Sequence, residues 1–218
     1  MLTASTSTNI NTRIATLVES SRRLDQKMPT DIPSEFVFLI IEDKARVEFL
    51  EVSRAVFQVQ LILNSAYSIN TTESGHRVII DEEIRAIQYK LMSLGNKVTY
   101  SKALCISIQI FLILIRPQSH TDDDSLQPLV IRLKESLESP HICFCSAPET
   151  IFWQLTIGAV ASSEPIMRKW FLIALKKLLP SLYLRSYDDS KQVLRKFFWI
   201  DHIFSSPCSD LWDELVDH

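Results

Sequence analysis

Glycine is scarce in this chain, with only Gly75, Gly95 and Gly158 among its 218 residues. Glycine-rich phosphate loops and dinucleotide-binding turns need several glycines within a few positions. Here no two glycines lie closer than 20 positions. The sequence therefore excludes both motifs and disfavours β-architectures, which depend on many tight turns.

Apolar residues recur every three or four positions along most of the chain, which is the period of an amphipathic helix. No pair of alternating polar and apolar strands joined by a turn dipeptide occurs. We therefore expect one all-α domain of about nine helices over residues 10–218, after a disordered Ser/Thr-rich tail at 1–9. The segment near 99–116 is apolar almost all round and is predicted to be the central helix.

Local signals place several helix ends. Asp81 can cap the helix whose apolar face includes Ile84 and Ile87. Ser186 and Asp189 have the spacing of a capping box, so a helix is predicted to start there and to extend through Phe198.

The four cysteines are ordinary usage for a chain too large to need disulfides, which favours a reducing, intracellular environment. The most apolar run, Ala103–Ile115, has thirteen residues, whereas about 20 are needed to cross a bilayer. We therefore expect no membrane association. Six Ser or Thr among the first twelve residues also allow a mitochondrial transit peptide as a minor alternative.

Charge is unevenly distributed near the C-terminal end. Residues 165–199 contain eight Lys or Arg and two Asp, whereas residues 200–218 contain five acids and no Lys or Arg. The favoured interpretation is two solvated helix faces that attract each other. A basic patch for an acidic partner is the alternative. DNA binding is disfavoured, because the net charge is −3 and the acidic segment would repel phosphate.

Two clusters could bind a metal ion. His141, Cys143 and Cys145 offer zinc ligands, but the cysteines are one residue apart and no second ligand pair follows. Asp122–Asp124 could contact magnesium, but three adjacent side chains in a loop cannot all point at one ion. We therefore predict no metal and no cofactor.

Catalytic residues are equally hard to identify. Asp201 and His202 are adjacent, but no serine or cysteine lies in a recognisable nucleophile motif. The sequence therefore predicts that the chain is not an enzyme. A helical enzyme whose site is assembled only in three dimensions remains an alternative.

All four tryptophans occur in the last 66 residues. Aromatic side chains bury large areas, so these residues are predicted to anchor the core of the C-terminal half. A pocket for a small hydrophobic ligand between helices is the alternative. The tryptophans are Trp153, Trp170, Trp199 and Trp212.

The C-terminal pattern resembles one family. The strings IFWQLTIGAVASSEPIMRKWF, VLRKFFWIDHIF and DLWDEL are similar to the regulatory domain of fungal zinc-binuclear-cluster transcription factors, in its shorter-motif subfamily. The resemblance covers about residues 98–218. The matching positions are Trp153, Gly158, Ala161, Arg168, Trp170, Phe171, Leu194, Phe198, Trp199, Asp201, Leu211 and Trp212.

The resemblance implies a non-catalytic domain that regulates transcription in the nucleus through protein partners, either the transcription machinery or a related factor. Two features depart from the family. Tyr187 stands where the family has tryptophan, and residues 1–100 contain none of the six cysteines of the DNA-binding cluster. The chain is then a truncated gene model, a shortened regulator or a fragment of a longer factor, without direct DNA binding. A general helical scaffold unrelated to transcription is the alternative function, and the cytoplasm is a minor alternative location.

Overall fold

A computed structural model describes residues 43–69, 74–95, 101–116, 125–139 and 147–217. In these ranges the chain forms eight α-helices and no strand, which confirms the all-α prediction for this part of the molecule. The helices are α1 (Asp43–Ile69), α2 (Ser74–Gly95), α3 (Ser101–Leu114), α4 (Leu126–Leu137), α5 (Pro148–Ala161), α6 (Pro165–Leu178), α7 (Tyr187–Leu194) and α8 (Asp201–Asp217).

The predicted count of nine helices is not confirmed, because the described ranges contain eight. The tail at 1–9 and the helix predicted to follow it lie outside the described residues. Within the described ranges, no helix is long and apolar enough to cross a membrane.

Helices α1 and α2 pack together through regularly spaced side chains. The buried residues are Phe49, Val52, Val56, Val59 and Leu63 in α1, and Ile80, Ile84, Ile87, Leu91 and Leu94 in α2. Both sets follow the three- and four-residue spacing of a helix face.

The predicted start of α2 was wrong. The helix begins at Ser74, so Asp81 lies inside it and does not cap it. The Asp81 carboxylate instead accepts hydrogen bonds from Arg116 Nε at 2.9 Å and Arg116 Nη2 at 3.2 Å, and one from Arg85. These contacts connect α2 to the end of α3.

Two helices, not one, are enclosed on all sides. Every residue of Ala103–Leu112 in α3 and of Thr150–Ala159 in α5 is buried. The two helices pack against each other, and α3 also contacts α2 and α4. The core is thus built around this pair, and the prediction of a single central helix is not confirmed.

The C-terminal helices begin and end at recognisable residues. Pro148 and Pro165 occupy the first turns of α5 and α6, where a missing N–H costs nothing. The capping box predicted at α7 is confirmed: the Asp189 backbone N–H donates to Ser186 Oγ at 3.2 Å, and the Ser186 N–H donates to the Asp189 carboxylate at 2.9 Å.

One boundary differs from the prediction. Helix α7 ends at Leu194, whereas the sequence predicted that it would reach Phe198. Residues Phe197–Ile200 form a non-helical connection to α8 in which all four side chains are buried. The Phe198 carbonyl of this connection accepts a hydrogen bond from the Trp153 indole, a contact 45 positions away that local periodicity does not contain.

Candidate functional site

The positions that carry the family resemblance lie on four neighbouring parts of the C-terminal half. Of these, α5 contacts α6, α7 and α8. The predicted residues are Trp153 and Gly158 on α5, Arg168, Trp170 and Phe171 on α6, Phe198 and Trp199 in the connection, and Asp201 and Trp212 on α8.

Trp153 is the centre of this junction. Its side chain is fully buried, and its indole Nε1 donates a hydrogen bond to the backbone oxygen of Phe198 at 3.1 Å. This bond satisfies the only polar atom of the indole and one carbonyl of the non-helical connection. Helix α5 thereby fixes a segment 45 positions further along the chain.

A cluster of aromatic rings surrounds this hydrogen bond. The Phe111 ring of α3 lies 5.7 Å from the Phe198 ring and stacks on Phe204 of α8 at 5.4 Å between centroids. The Phe57 ring of α1 lies 4.9 Å from that of Phe198. The sequence pattern did not single out Phe57 or Phe111 for this junction, and Phe204 occurs in the string VLRKFFWIDHIF without being one of the matching positions. Phe111 and Phe204 lie on buried helical faces, which was the available signal, whereas Phe57 is only half-buried.

Gly158 allows α5 and α6 to approach closely. A Cβ atom built at this position would lie 2.6 Å from Cζ of Phe171, whose ring is fully buried. That separation is shorter than any carbon–carbon contact in a packed core. Glycine is therefore needed here for space.

Arg168 connects three helices. Its guanidinium donates to both carboxylate oxygens of Glu214 on α8, at 2.9 and 2.6 Å, and its Nη1 donates to the backbone oxygen of Ala159 on α5 at 2.9 Å. A planar fork matched to a carboxylate is the geometry that arginine provides and lysine does not. The hydrogen bonds to Glu214 raise the pKa of Arg168, so its charge is permanent.

Asp201 is the centre of a polar network at the start of α8. Its carboxylate accepts from the Trp199 indole at 3.0 Å and from Arg195 at 2.7 and 2.9 Å. Lys191 Nζ lies 3.3 Å away. Partial burial opposes ionisation, but the hydrogen bonds from the indole and the two cations hold the pKa of Asp201 well below its usual value.

Tyr187 is the first residue of α7. Its hydroxyl donates to the backbone oxygen of Ser205 on α8 at 2.7 Å. Burial raises the pKa of the Tyr187 hydroxyl, which therefore stays protonated and remains a donor. The tyrosine thus provides a contact between α7 and α8.

Trp170 and Trp212 are not in the core. Both are only half-buried, whereas Trp153 and Trp199 are buried. The Trp170 ring lies 4.9 Å from that of Phe171, and Lys134 Nζ of α4 lies 5.3 Å from its centroid. The predicted core role therefore does not extend to these two tryptophans.

The opposite charges of the C-terminal half attract each other in part, as predicted. Arg168–Glu214, Arg195–Asp201 and Lys191–Asp201 join the basic and acidic segments. Lys196 instead pairs with Glu149 of α5 at 2.7 Å. Arg168 and Glu214 are 46 positions apart, and Lys196 and Glu149 are 47 positions apart. Sequence spacing alone could therefore not identify these pairs.

A groove of about 570 Å³ lies between α6 and α8. Leu172 and Ile173 contribute apolar surface, and Lys169 and Lys176 contribute positive charge. The Arg168–Glu214 pair lies at the same groove. The groove is therefore partly apolar and partly basic on its α6 side.

The described residues offer little support for a metal site or a catalytic site. In the described ranges, no three His, Cys, Asp or Glu side chains come together in a way that could hold a metal ion. The clusters at His141–Cys145 and Asp122–Asp124 lie outside the described residues.

Asp201 is bonded to Trp199 and Arg195, and His202 beside it is exposed. Burial raises the pKa of the Cys208 thiol to about 12, which makes it a poor nucleophile.

Comparison of the chain with family models, with curated proteins and with solved structures finds no match.

Proposed function

We propose that this chain is a non-catalytic interaction domain that regulates transcription in the nucleus. Over residues 98–218 it would be built like the regulatory domain of fungal zinc-binuclear-cluster transcription factors. The proposal also includes the expected architecture of nine helices, with the apolar helix near 99–116 at their centre. The partners are proteins of the transcription machinery or a related factor. A small hydrophobic ligand between helices is the alternative.

The main support is that positions of the resemblance contact one another across long sequence distances. Trp153 bonds to Phe198 45 positions away, and Phe171 packs against Gly158. A motif made of a tryptophan, a glycine and two phenylalanines that meets in one buried junction acts as a packing signature. This is the role that the resemblance implies for these residues.

The polar groups of the motif are used inside the fold. Arg168 is bonded to Glu214 and Ala159, and Asp201 is bonded to Trp199 and Arg195. A catalytic acid or base must reach a substrate proton. Polar side chains held in this way favour a structural scaffold that presents its outer surface to partners.

A tethering experiment tests the role in transcription. The full chain is fused to a heterologous DNA-binding domain, and a reporter with matching sites is measured. We expect a change in reporter expression that Trp153→Ala abolishes and that Lys90→Glu, on the exposed side of α2, leaves intact. A folded, nuclear fusion that leaves the reporter unchanged would contradict the proposal and favour a scaffold unrelated to transcription.

A mobility-shift assay tests the absence of DNA contact. Phosphate contacts dominate DNA affinity and weaken steeply with salt. We expect no shift of random duplex at low salt by the isolated chain. Tight binding that is weakened by Lys176→Glu with Lys177→Glu would instead assign DNA binding to α6.

A further inference from the structure

Helix α6 presents a basic and apolar face to solvent. Its 14 residues include four cations and no acid, and only Arg168 among these cations has a carboxylate partner in the described residues. The other three are exposed: Lys169, Lys176 and Lys177. On the same side of the helix, the side chains of Ile166 and Ile173 are 78% and 50% exposed.

Helix α8 presents the opposite charge. It carries five acids and no Lys or Arg. Glu214 is bonded to Arg168, and Asp201 belongs to its own network. The other three acids are exposed, and Val216 beside them is 65% exposed. These acids are Asp210, Asp213 and Asp217.

The two faces are adjacent, because α6 and α8 pack against each other and form the groove described above. A partner that covers both must be acidic where it meets α6 and basic where it meets α8. A nucleic acid or a uniformly acidic peptide would be repelled by α8, and a uniformly basic one by α6. A second copy of this chain carries both charges side by side.

We propose that a second copy of this chain covers this surface, with α6 of each copy lying against α8 of the other about a two-fold axis. In such an isologous interface the same patch is used twice, so a basic row beside an acidic row is self-complementary. Lys169 to Lys176 and Asp210 to Asp217 each span seven residues, about 10 Å of helix. The exposed isoleucines and Val216 supply apolar area for the contact. This inference is independent of the proposed role in transcription.

Charge reversal on each face tests the interface. One variant is Lys169→Glu with Lys176→Glu, which makes both faces acidic. The other is Asp213→Lys with Asp217→Lys, which makes the exposed C-terminal part of α8 basic, as α6 already is. No described contact of the fold involves these four side chains. Molar mass is measured by light scattering, and the composition of mixtures by native mass spectrometry.

We expect the wild-type chain to dimerise, and more weakly at high salt, because the Debye length falls from about 10 Å at 0.1 M to about 3 Å at 1 M. Each variant alone is expected to be monomeric. Their equimolar mixture is expected to form heterodimers, since each acidic face then meets a basic one. Lys90→Glu with Lys102→Glu, exposed residues of α2 and α3, causes the same change in net charge as the α6 variant and should leave the dimer intact.

Three results would overturn the inference. They are a monomeric wild-type chain at about 100 µM, variants that dimerise as the wild type does, or a mixture that stays monomeric although both variants melt like the parent. A monomeric chain that binds a Glu-rich amphipathic peptide would assign the α6 face to a different partner.

Discussion

The N-terminal helices and the C-terminal junction are held together by different chemistry. Between α1 and α2 the buried residues are almost all aliphatic, and any one contact resembles its neighbours. The C-terminal junction adds directional contacts to its apolar packing: the Trp153–Phe198 bond, the Arg168 fork and the Asp201 network. Aliphatic packing depends on area, whereas these contacts also depend on geometry. The two regions should therefore differ in how much stability is lost when a hydrogen-bonding group is removed.

The largest expected effect is that of Trp153→Ala. Removal of a fully buried tryptophan typically costs about 3–5 kcal/mol, a large part of the ~5–15 kcal/mol that stabilises a domain. We expect a partly unfolded or poorly soluble protein, measured by thermal melting with circular dichroism. A variant that melts within a few degrees of the parent would show that this residue is not the centre of the junction.

A pair of buried truncations compares the two kinds of packing. Trp153→Phe keeps an aromatic ring but removes part of the indole and leaves the Phe198 carbonyl without its donor. The unpaired carbonyl alone should cost about 1–3 kcal/mol. Ile84→Val in α2 removes one buried methylene and no hydrogen bond, for about 0.5–1.5 kcal/mol. Urea denaturation of both variants gives the comparison. Equal losses would mean that the buried hydrogen bond adds nothing.

Gly158→Ala should also destabilise the junction. The added methyl group collides with the buried Phe171 ring, and overpacking of this kind costs about 1–3 kcal/mol. The higher helix propensity of alanine, worth about 1 kcal/mol, offsets part of this loss. The free energy of unfolding by urea measures the net effect. A second substitution, Phe171→Leu, should restore part of the stability of Gly158→Ala, and no rescue would argue against the collision.

Two arginine forks form a matched pair, one between α2 and the end of α3 and the other in the C-terminal junction. Arg116 binds both oxygens of Asp81, and Arg168 binds both oxygens of Glu214 and also the Ala159 carbonyl. Both are about equally exposed, at 31% and 26%. Substitution by lysine removes the fork in each case, and Arg168→Lys also loses the backbone bond. We expect Arg168→Lys to be the more destabilising by about 1 kcal/mol, and the reverse order in thermal melts would contradict this view of the junction.

The fold class and one regular face could be predicted from the sequence because they depend on spacing. The buried face of α1, which includes Val52, Val56 and Val59, follows the three- and four-residue spacing from which the helices were predicted. The capping box at Ser186 was also predicted, since it is a local interaction of two side chains with nearby backbone groups.

The junction itself could not be predicted in the same way. Helical spacing suggested that α7 continues through Phe198, but in the fold the Phe198 carbonyl bonds to the Trp153 indole, and this tertiary contact prevails over local periodicity. The partner of Arg168 lies 46 positions away, and five acids in the last 18 residues were possible choices. Contacts of this kind depend on how helices approach each other, which no single-sequence pattern contains.

Asp201→Asn should have the smallest effect on the free energy of unfolding, and the change of this effect with pH tests the role of the carboxylate. The Asp201 side chain is half-exposed, so its ion pairs should contribute about 1 kcal/mol or less. The pKa of Asp201 is lowered in the folded chain, because hydrogen bonds from Trp199 and the nearby cations outweigh the effect of burial. Its stabilising contribution is therefore complete above the unfolded pKa of about 3.9, and is lost as the pH falls through that value towards the folded pKa.

Urea denaturation of wild type and Asp201→Asn at several pH values should thus give a constant difference from about pH 5 to pH 8 and a smaller one below about pH 4. Asp81→Asn in α2 is the matched variant, because hydrogen bonding to Arg116 also lowers the pKa of Asp81. The two differences should shrink in the same direction as the pH falls. A difference for Asp201→Asn that grows on acidification would mean that the carboxylate is not stabilised by its hydrogen-bond partners in the folded chain.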